Sequence, residues 1–246
     1  QERIRAAVSV GIAWLLKLQN GDGGWPTFCR GWGKLPFDRS GTDLTAHAIR
    51  AMGAWKSLLA NGLQSKIDTA MRRGWRFIEN RQQADGSWIP LWFGNQDHPQ
   101  EENPIYGTAK VLMAFRDLGQ CDTPSAQRGF QFLAKHQNSD GGWGGGPSVM
   151  DQTGRGPSSV EETALATEAL LADASARSSP QVSQGVQWLL EATLSNLHCN
   201  DSPIGFYFAK LWYHERLYPR IFTVSALGHA LSLVRPPTDA PHLITD

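Results

Sequence analysis

The 246-residue sequence carries no surplus of charge: 23 basic and 23 acidic side chains cancel to a formal net charge of zero. A chain without a basic excess lacks the electrostatic footprint that nucleic acid demands of a partner, and an acidic polymer is excluded on the same ground. Cysteine is scarce. Cys29, Cys121 and Cys199 are scattered and odd in number, so no disulfide framework is expected and a reducing compartment fits better. No run of 18 apolar residues occurs, which excludes a membrane-spanning helix. No secretory leader is visible, since Gln1-Glu2-Arg3-Ile4-Arg5 leads straight into an amphipathic pattern. The length suits one domain with a real core. One residue type is in excess, with ten tryptophans.

Three of those tryptophans share a context. The segments AWLLKLQNGDGGW (13–25), GWRFIENRQQADGSW (74–88) and RGFQFLAKHQNSDGGW (128–143) each end an amphipathic helical run in the same way. A Gln is followed by three residues, a Gly, one residue and a Trp: Gln19/Gly23/Trp25, Gln82/Gly86/Trp88 and Gln137/Gly141/Trp143. Glycine supplies the positive φ that a helix stop or tight turn requires. Glutamine is both donor and acceptor. It is expected to bridge the free carbonyls of its own helix end and the indole stacked beyond the turn, which gives these three tryptophans a structural role.

The three glutamines stand 63 and 55 residues apart. One further period on, the helix GVQWLLEAT has Thr193 in the Gln place and no Gly-x-Trp after it. A second repeat interleaves with the first: DLTAHAIRAM from Asp43, YGTAKVLMAF from Tyr106, EETALATEALL from Glu161 and, more faintly, FTVSALGHAL from Phe222. Thr45, Thr108 and Thr163 recur within it. Each unit is a helical hairpin, and periods of this size indicate stacked helical pairs or toroids. The expected fold is an all-α (α/α) toroid occupying residues 1–235. Its small-residue helices, 43–55, 106–116 and 161–171, would form the inner layer and the Trp-capped helices the outer one. A proline-rich tail, 236–246, is expected to be flexible.

Further helices are expected at 4–18, 64–81, 105–118, 125–136, 159–175, 180–194 and 220–234, with Thr42 or Asp43 capping the first inner helix. The loops 26–41, 89–104 and 144–158 each leave a Trp turn and enter an inner helix. All three then lie at one end of the toroid, over the mouth of the inner ring, where function tends to reside. The segments 97–103 and 144–147 read as mobile connectors. Glu161 and Glu162, at a helix start, complement its dipole. The stretch 207–217 mixes Phe208, Leu211 and Trp212 with Lys210 and Arg216, a composition that suits a membrane surface.

Several of these residues together resemble one family. The Gln…Trp turns, Lys34-Leu35-Pro36-Phe37, Asp43-Leu44-Thr45-Ala46-His47 and Tyr106-Gly107-Thr108 after DGSWIPLW are similar, in order, to the C-terminal part of squalene–hopene cyclases. The resemblance implies an (α/α) barrel that protonates a terminal alkene of squalene, or a related polyprene, and closes rings through a cation cascade. It implies no metal or organic cofactor. It also implies a bacterial protein held peripherally or monotopically at the cytoplasmic side of a membrane. His47 matches the histidine paired with the family's catalytic aspartate, raising its acidity as a hydrogen-bonded cation would. Asp43, one turn earlier, would orient His47. Tyr106 matches a tyrosine that reaches the acid through water. Phe28, Phe37 and Trp92 match aromatic cavity positions. Phe206 matches a phenylalanine that stabilises a late carbocation by cation–π attraction, and Tyr213 a nearby cavity tyrosine. Ser202 and Lys210 depart from the aromatic residues of the family pattern.

The family's proton donor, an Asp-x-Asp-Asp segment, is absent from the chain; the resemblance places it before Gln1. Nine or ten helices are legible where a six-hairpin barrel needs twelve. The chain is therefore expected to be a fragment or truncated relative, an incomplete barrel with uncovered apolar sides near 1–18 and 195–235 and a tendency to homo-oligomerise. Two other classes compete. A protein prenyltransferase β-subunit shares the barrel but needs Asp, Cys and His around zinc, a context that none of the three cysteines has. A non-catalytic toroid binding a lipid or protein partner is the second.

Overall fold

Helix starts in this chain repeat one device. Asn103, Thr123 and Ser179 each accept a hydrogen bond from a backbone N–H of the first turn, and each is followed by proline. The side-chain oxygen satisfies an orphan donor, and proline fixes φ where no N–H is needed. The computed structural model describes residues 2–27, 38–147, 158–206 and 211–234, with 202–206 and 211–213 described by backbone alone. Phe28, Cys29, Phe37 and the 236–246 tail lie outside the described residues.

Eight α-helices are present among the described residues, fewer than the nine or ten expected: α1 (Glu2–Leu18), α2 (Thr42–Trp55), α3 (Asn61–Asn80), α4 (Pro104–Asp117), α5 (Pro124–Lys135), α6 (Val160–Leu170), α7 (Pro180–Leu194) and α8 (Leu217–Val234). Helices α2, α4, α6 and α8 pack side by side in sequence, and α3, α5 and α7 lie against them from outside. The layers are those that the interleaved repeats predict. Helices α4 and α6 are buried on every side, from Ile105 to Phe115 and along the whole of α6. Ala109, Ala114, Ala164, Ala166 and Ala169 leave room between the helices, and Leu112, Phe115, Leu165 and Leu170 fill it. The outer α3 buries a single stripe, Ile67, Ala70, Gly74, Phe77 and Ile78, as an amphipathic surface helix does.

One element departs from the all-helical expectation. Strands β1 (Ser202–Phe206) and β2 (Leu211–Glu215) form an antiparallel hairpin, with Ser202 opposite Glu215 and Phe206 opposite Leu211. The segment read from its composition as a membrane-surface stretch therefore contains a strand. Ile204, Phe206, Trp212 and Tyr213 favour extended backbone. Upstream, α7 ends without a Trp turn: Thr193 turns its hydroxyl back to Leu189 O at 2.8 Å.

The Trp turns work differently from the expected glutamine bridge. It is the indole that satisfies the end of its own helix: Trp25, Trp88 and Trp143 donate from Nε1 to Leu15 O, Ile78 O and Leu133 O at 2.8, 2.8 and 2.7 Å. Each Gln Nε2 instead donates twice. One bond goes to the turn glycine's carbonyl and one to the next outer helix, at Ala70, Ser125 and Gln181. The chain reverses at the turn, which lays the ring back along the helix it has left; the amide then faces outward to the neighbour.

Two further partners complete the staple. The backbone N–H of each Trp donates to a threonine hydroxyl 20 residues on, Thr45, Thr108 and Thr163, at 3.0, 3.0 and 2.9 Å. Each ring also rests on a glycine of the next outer helix. A Cβ at Gly74, Gly129 or Gly185 would stand 2.9, 2.7 or 2.8 Å from a carbon of that ring. The glycine in the matching place on α1 is Gly11, and its Cβ would meet nothing within 4 Å. The indoles are at most 1% exposed.

Two outcomes follow. Gly129→Ala should destabilise the chain by about 1–3 kcal/mol through overpacking, whereas Gly11→Ala should be neutral or stabilise by up to about 1 kcal/mol through helix propensity. Urea unfolding of both variants checks the contrast, and equal effects would contradict the staple. Apolar side chains stand exposed at both ends of the array: Ile4, Val10 and Trp14 on α1, and Leu217, Ile221, Val224 and Leu231 on α8. The chain by itself should self-associate through them; light scattering that reads a clean monomer at micromolar concentration contradicts this.

Candidate functional site in the inner ring

The loop that follows Trp88 straps the N-termini of three inner helices. Thr42 donates to Ile89 O at 3.0 Å, and Leu91 N–H reaches the Asp43 carboxylate at 3.4 Å. The Phe93 ring packs on Tyr106 with centroids 4.5 Å apart. Asn95 donates to Gly145 O at 2.8 Å and to Glu162 at 3.4 Å. Trp92 donates from its indole nitrogen to Thr27 Oγ1. The loop-bearing end anticipated from the topology is thus a tied structure.

The 144–147 segment is held there too, and so is the end of the 97–103 segment; neither is the mobile connector its composition suggests. Gly145 N–H donates to Glu162 Oε2 at 2.6 Å and Ser159 Oγ donates to the same oxygen at 2.7 Å. Asn103 accepts from Tyr106 N at 2.9 Å. Glu162 therefore does more than complement a dipole. Burial pushes its carboxyl up, while the bonds from Gly145, Ser159, Asn95 and Asn103 oppose that.

Asp43 and Tyr106 occupy equivalent places, two residues before the threonine that receives the Trp N–H. Asp43 is buried, which raises its carboxyl above the usual range; backbone N–H groups of Leu91, Leu44 and Asp43 itself hold it down. These bonds correct its expected role. The carboxylate is committed to the helix start and the Leu91 strap rather than to orienting His47. The helix geometry explains this, because an N-terminal carboxylate finds unsatisfied backbone donors nearer than a side chain one turn on.

His47 lies two residues after Thr45 and makes no hydrogen bond among the described residues. The residue is exposed, yet it has cations for neighbours. Desolvation first, then the fields of Lys110 and Arg50, lower its pKa to about 4. At neutral pH the ring is therefore an uncharged imidazole in this chain.

Lys110 is the residue that sequence reasoning passed over. It occupies on α4 the place that His47 occupies on α2, two after the threonine, and it interrupts an otherwise apolar run. Its ammonium lies over the rings of Tyr106 and Phe222, 5.1 and 4.1 Å from their centroids. Tyr218 continues the aromatic wall, 5.4 Å from Phe222 and 6.1 Å from Phe93. Burial lowers the Lys110 pKa to about 8, against the opposing field of Glu161.

The far end of the inner ring is closed by charge. Arg50 bonds Asp117 at 2.6 Å, Arg116 bonds Asp117 at 2.7 Å, and Arg116 bonds Glu168 at 2.8 Å. That chain of ion pairs ties α2, α4 and α6 together opposite the loops. A separate polar cleft of about 1150 Å³ opens between the first two Trp turns beside Asp22, Arg39, Arg81 and Asp85. None of Asp43, His47, Trp92 and Tyr106 lines it.

The structure brings Asp43, His47 and Tyr106 to one end of the inner helices. Phe206 and Tyr213 fall on β1 and β2, and their side chains lie outside the described residues, as do Phe28 and Phe37 altogether. Cys121 is half-buried and Cys199 exposed. Among the described residues no three His, Cys, Asp or Glu side chains converge as metal ligands. No described helix is long and apolar enough to cross a membrane.

Comparison with known proteins agrees with this geometry. Residues 1–232 match the model of the squalene-hopene cyclase C-terminal domain. The terpene cyclase–glycosyl transferase fusion protein fsoA of Humicola fuscoatra is 31% identical, the match covering 97% of the chain and 20% of that protein. The squalene–hopene cyclase of Bradyrhizobium diazoefficiens is also 31% identical, over 75% of the chain and 28% of the enzyme. The chain thus spans well under half the length of these relatives. The solved ent-copalyl diphosphate synthase from Streptomyces platensis superposes with a TM-score of 0.60 at 19% identity, over 88% of the chain and 37% of that structure. That likeness shows a shared (α/α) toroid fold. With its Trp-stapled hairpins and the match over nearly its whole length, the chain belongs to the squalene–hopene cyclase C-terminal domain family, within the class II terpene cyclases.

Proposed function

We propose that this chain supplies one wall of a class II terpene cyclase cavity, in which an isoprenoid such as squalene is protonated at a terminal alkene and cyclised through carbocations. The observation that carries this reading is the accessible, uncharged His47 beside the aromatic series Phe93, Tyr106, Tyr218 and Phe222 at the loop-bearing end. Aromatic faces attract a cation without trapping it covalently. They do not start one.

Alkene protonation needs a strong, desolvated acid, and no phenol or neutral imidazole is acidic enough. The acid is therefore assigned to a carboxyl outside this sequence. An approaching carboxylate would raise the pKa of His47 by favouring its charged form, and the resulting ion pair would hold the second oxygen of that acid in place. Family members whose names specify squalene make it the first substrate to test.

The test is incubation of squalene with this chain and with the intact protein that contains it, followed by a search for polycyclic product. The chain alone should be inactive and the intact protein active. His47→Ala in the intact protein should lower turnover by about 10²–10⁴, the range of a lost acid–base group. Turnover by the chain alone, or an unimpaired variant, would overturn the reading. A second expectation concerns pH. A histidine whose folded pKa is depressed takes up its proton more readily when unfolded, so stability should fall as pH drops from about 6.5 toward 4. His47→Gln should flatten that part of the profile; urea midpoints measured from pH 4 to pH 8 decide it.

A further inference from the structure

We infer that Lys110 is a recognition site for an anionic group carried by the isoprenoid substrate, an inference that rests on the cyclase reading above. The first ground is its electrostatic situation. Lys110 is 7% exposed. Among the described residues it has neither a hydrogen bond nor an ion pair, its only contacts of that kind being the rings of Tyr106 and Phe222. The other cations of the inner helices are provided for: Arg50 and Arg116 are ion-paired, and Arg220 is exposed. Glu161, Glu168 and Asp43 act on Lys110 only through their fields. A buried ammonium without a counter-ion is unfavourable, and such groups persist where a ligand supplies the missing charge.

The second ground is position. Counting from the threonine bonded to each Trp, the third place is His47 on α2, Lys110 on α4 and Leu165 on α6. On α2 that place carries the exposed His47, and the charge of Lys110 lies close enough to lower the pKa of that imidazole. Lys110 therefore stands near His47, the residue that the cyclase reading places in the substrate cavity.

The third ground is chemical conflict. A fixed positive charge beside an aromatic wall opposes any carbocation formed there, because like charges repel strongly where water is excluded. With a hydrocarbon substrate the ammonium has no partner and the cation has an adversary. An isoprenoid ending in a diphosphate or carboxylate removes both difficulties. The anion neutralises Lys110 and also fixes which end of the chain faces the acid. Lysine suits such a role as a compact point charge with three donors.

The experiment uses the intact protein that contains this sequence, with Lys110→Met and Lys110→Arg variants. Four probes are compared: geranylgeranyl diphosphate, geranylgeranoic acid, geranylgeraniol and squalene. Lys110→Met should raise KM for the anionic probes by 10-fold or more and leave KM for the two neutral probes unchanged or lower, while Lys110→Arg retains most of the affinity. A preference for one acid over the other identifies the anion. Equal effects on charged and neutral probes, or none, would overturn the assignment. Binding is measured separately by calorimetry. If the wild type turns over no isoprenoid, the cyclase reading fails. A wild type that then binds the anionic probes no more tightly than geranylgeraniol refutes the role of Lys110 as well; a Lys110-dependent preference supports it.

Discussion

Everything in this fold hangs on where one indole is buried. Each Trp of the repeat touches three helices at once. Its ring nitrogen closes the outer helix that precedes it, and its backbone nitrogen binds the threonine of the next inner helix. Its face lies on a glycine of the next outer helix. A buried tryptophan carries a large apolar area, about 150–250 Å², and here that area is shared between neighbours. Repeats so coupled depend on one another as the units of a solenoid do. Arg73 and Arg128 reinforce the joint by bonding the glutamines Gln19 and Gln82 across it, whereas Gln184 takes the corresponding place in the third copy.

Holding the outer layer this way frees the inner helices to carry chemistry. Helices α2, α4 and α6 are uncharged along most of their length, so their charged side chains stand out. Their charges sort by height. At the far end Arg50, Asp117, Arg116 and Glu168 neutralise one another. At the mouth Glu162 and Asp43 are bound by loop backbone and act as anchors. Between them His47 and Lys110 meet no acid within bonding distance among the described residues, and desolvation is the main cause that lowers the basicity of each; nearby cations add to it at His47, while the field of Glu161 opposes it at Lys110. An anionic group on the substrate, as proposed above, would find its partner among these bases.

Architecture was readable from the amino-acid order because its signals are local. The Gln…Gly-x-Trp spacing, the stop at a turn glycine with φ near +90° and the small-residue periodicity of 43–55, 106–116 and 161–171 each lie within a single segment. They foretold the layers, the hairpins and the shared end of the loops. The 20-residue interval from each Trp to Thr45, Thr108 or Thr163 was equally present. Its meaning emerged only from the hydrogen bond. The strand pair is hard to read from the sequence because Lys210 and Arg216 give its aromatic residues the composition of an amphipathic surface stretch.

What the sequence by itself determined is the repeat, its turns and the family to which the chain belongs, since hydrophobic period and backbone freedom act between residues near in the chain. The tertiary structure decided the partners. Gln82 reaches Ser125 rather than its own helix end, Asp43 holds Leu91 rather than His47, and Gly129 is small because Trp88 lies on it. It also decided the charge states that matter, a neutral His47 and a buried Lys110 between Tyr106 and Phe222. Protonation depends on desolvation and on charges brought close by packing, and neither quantity exists until the helices have closed around the side chain.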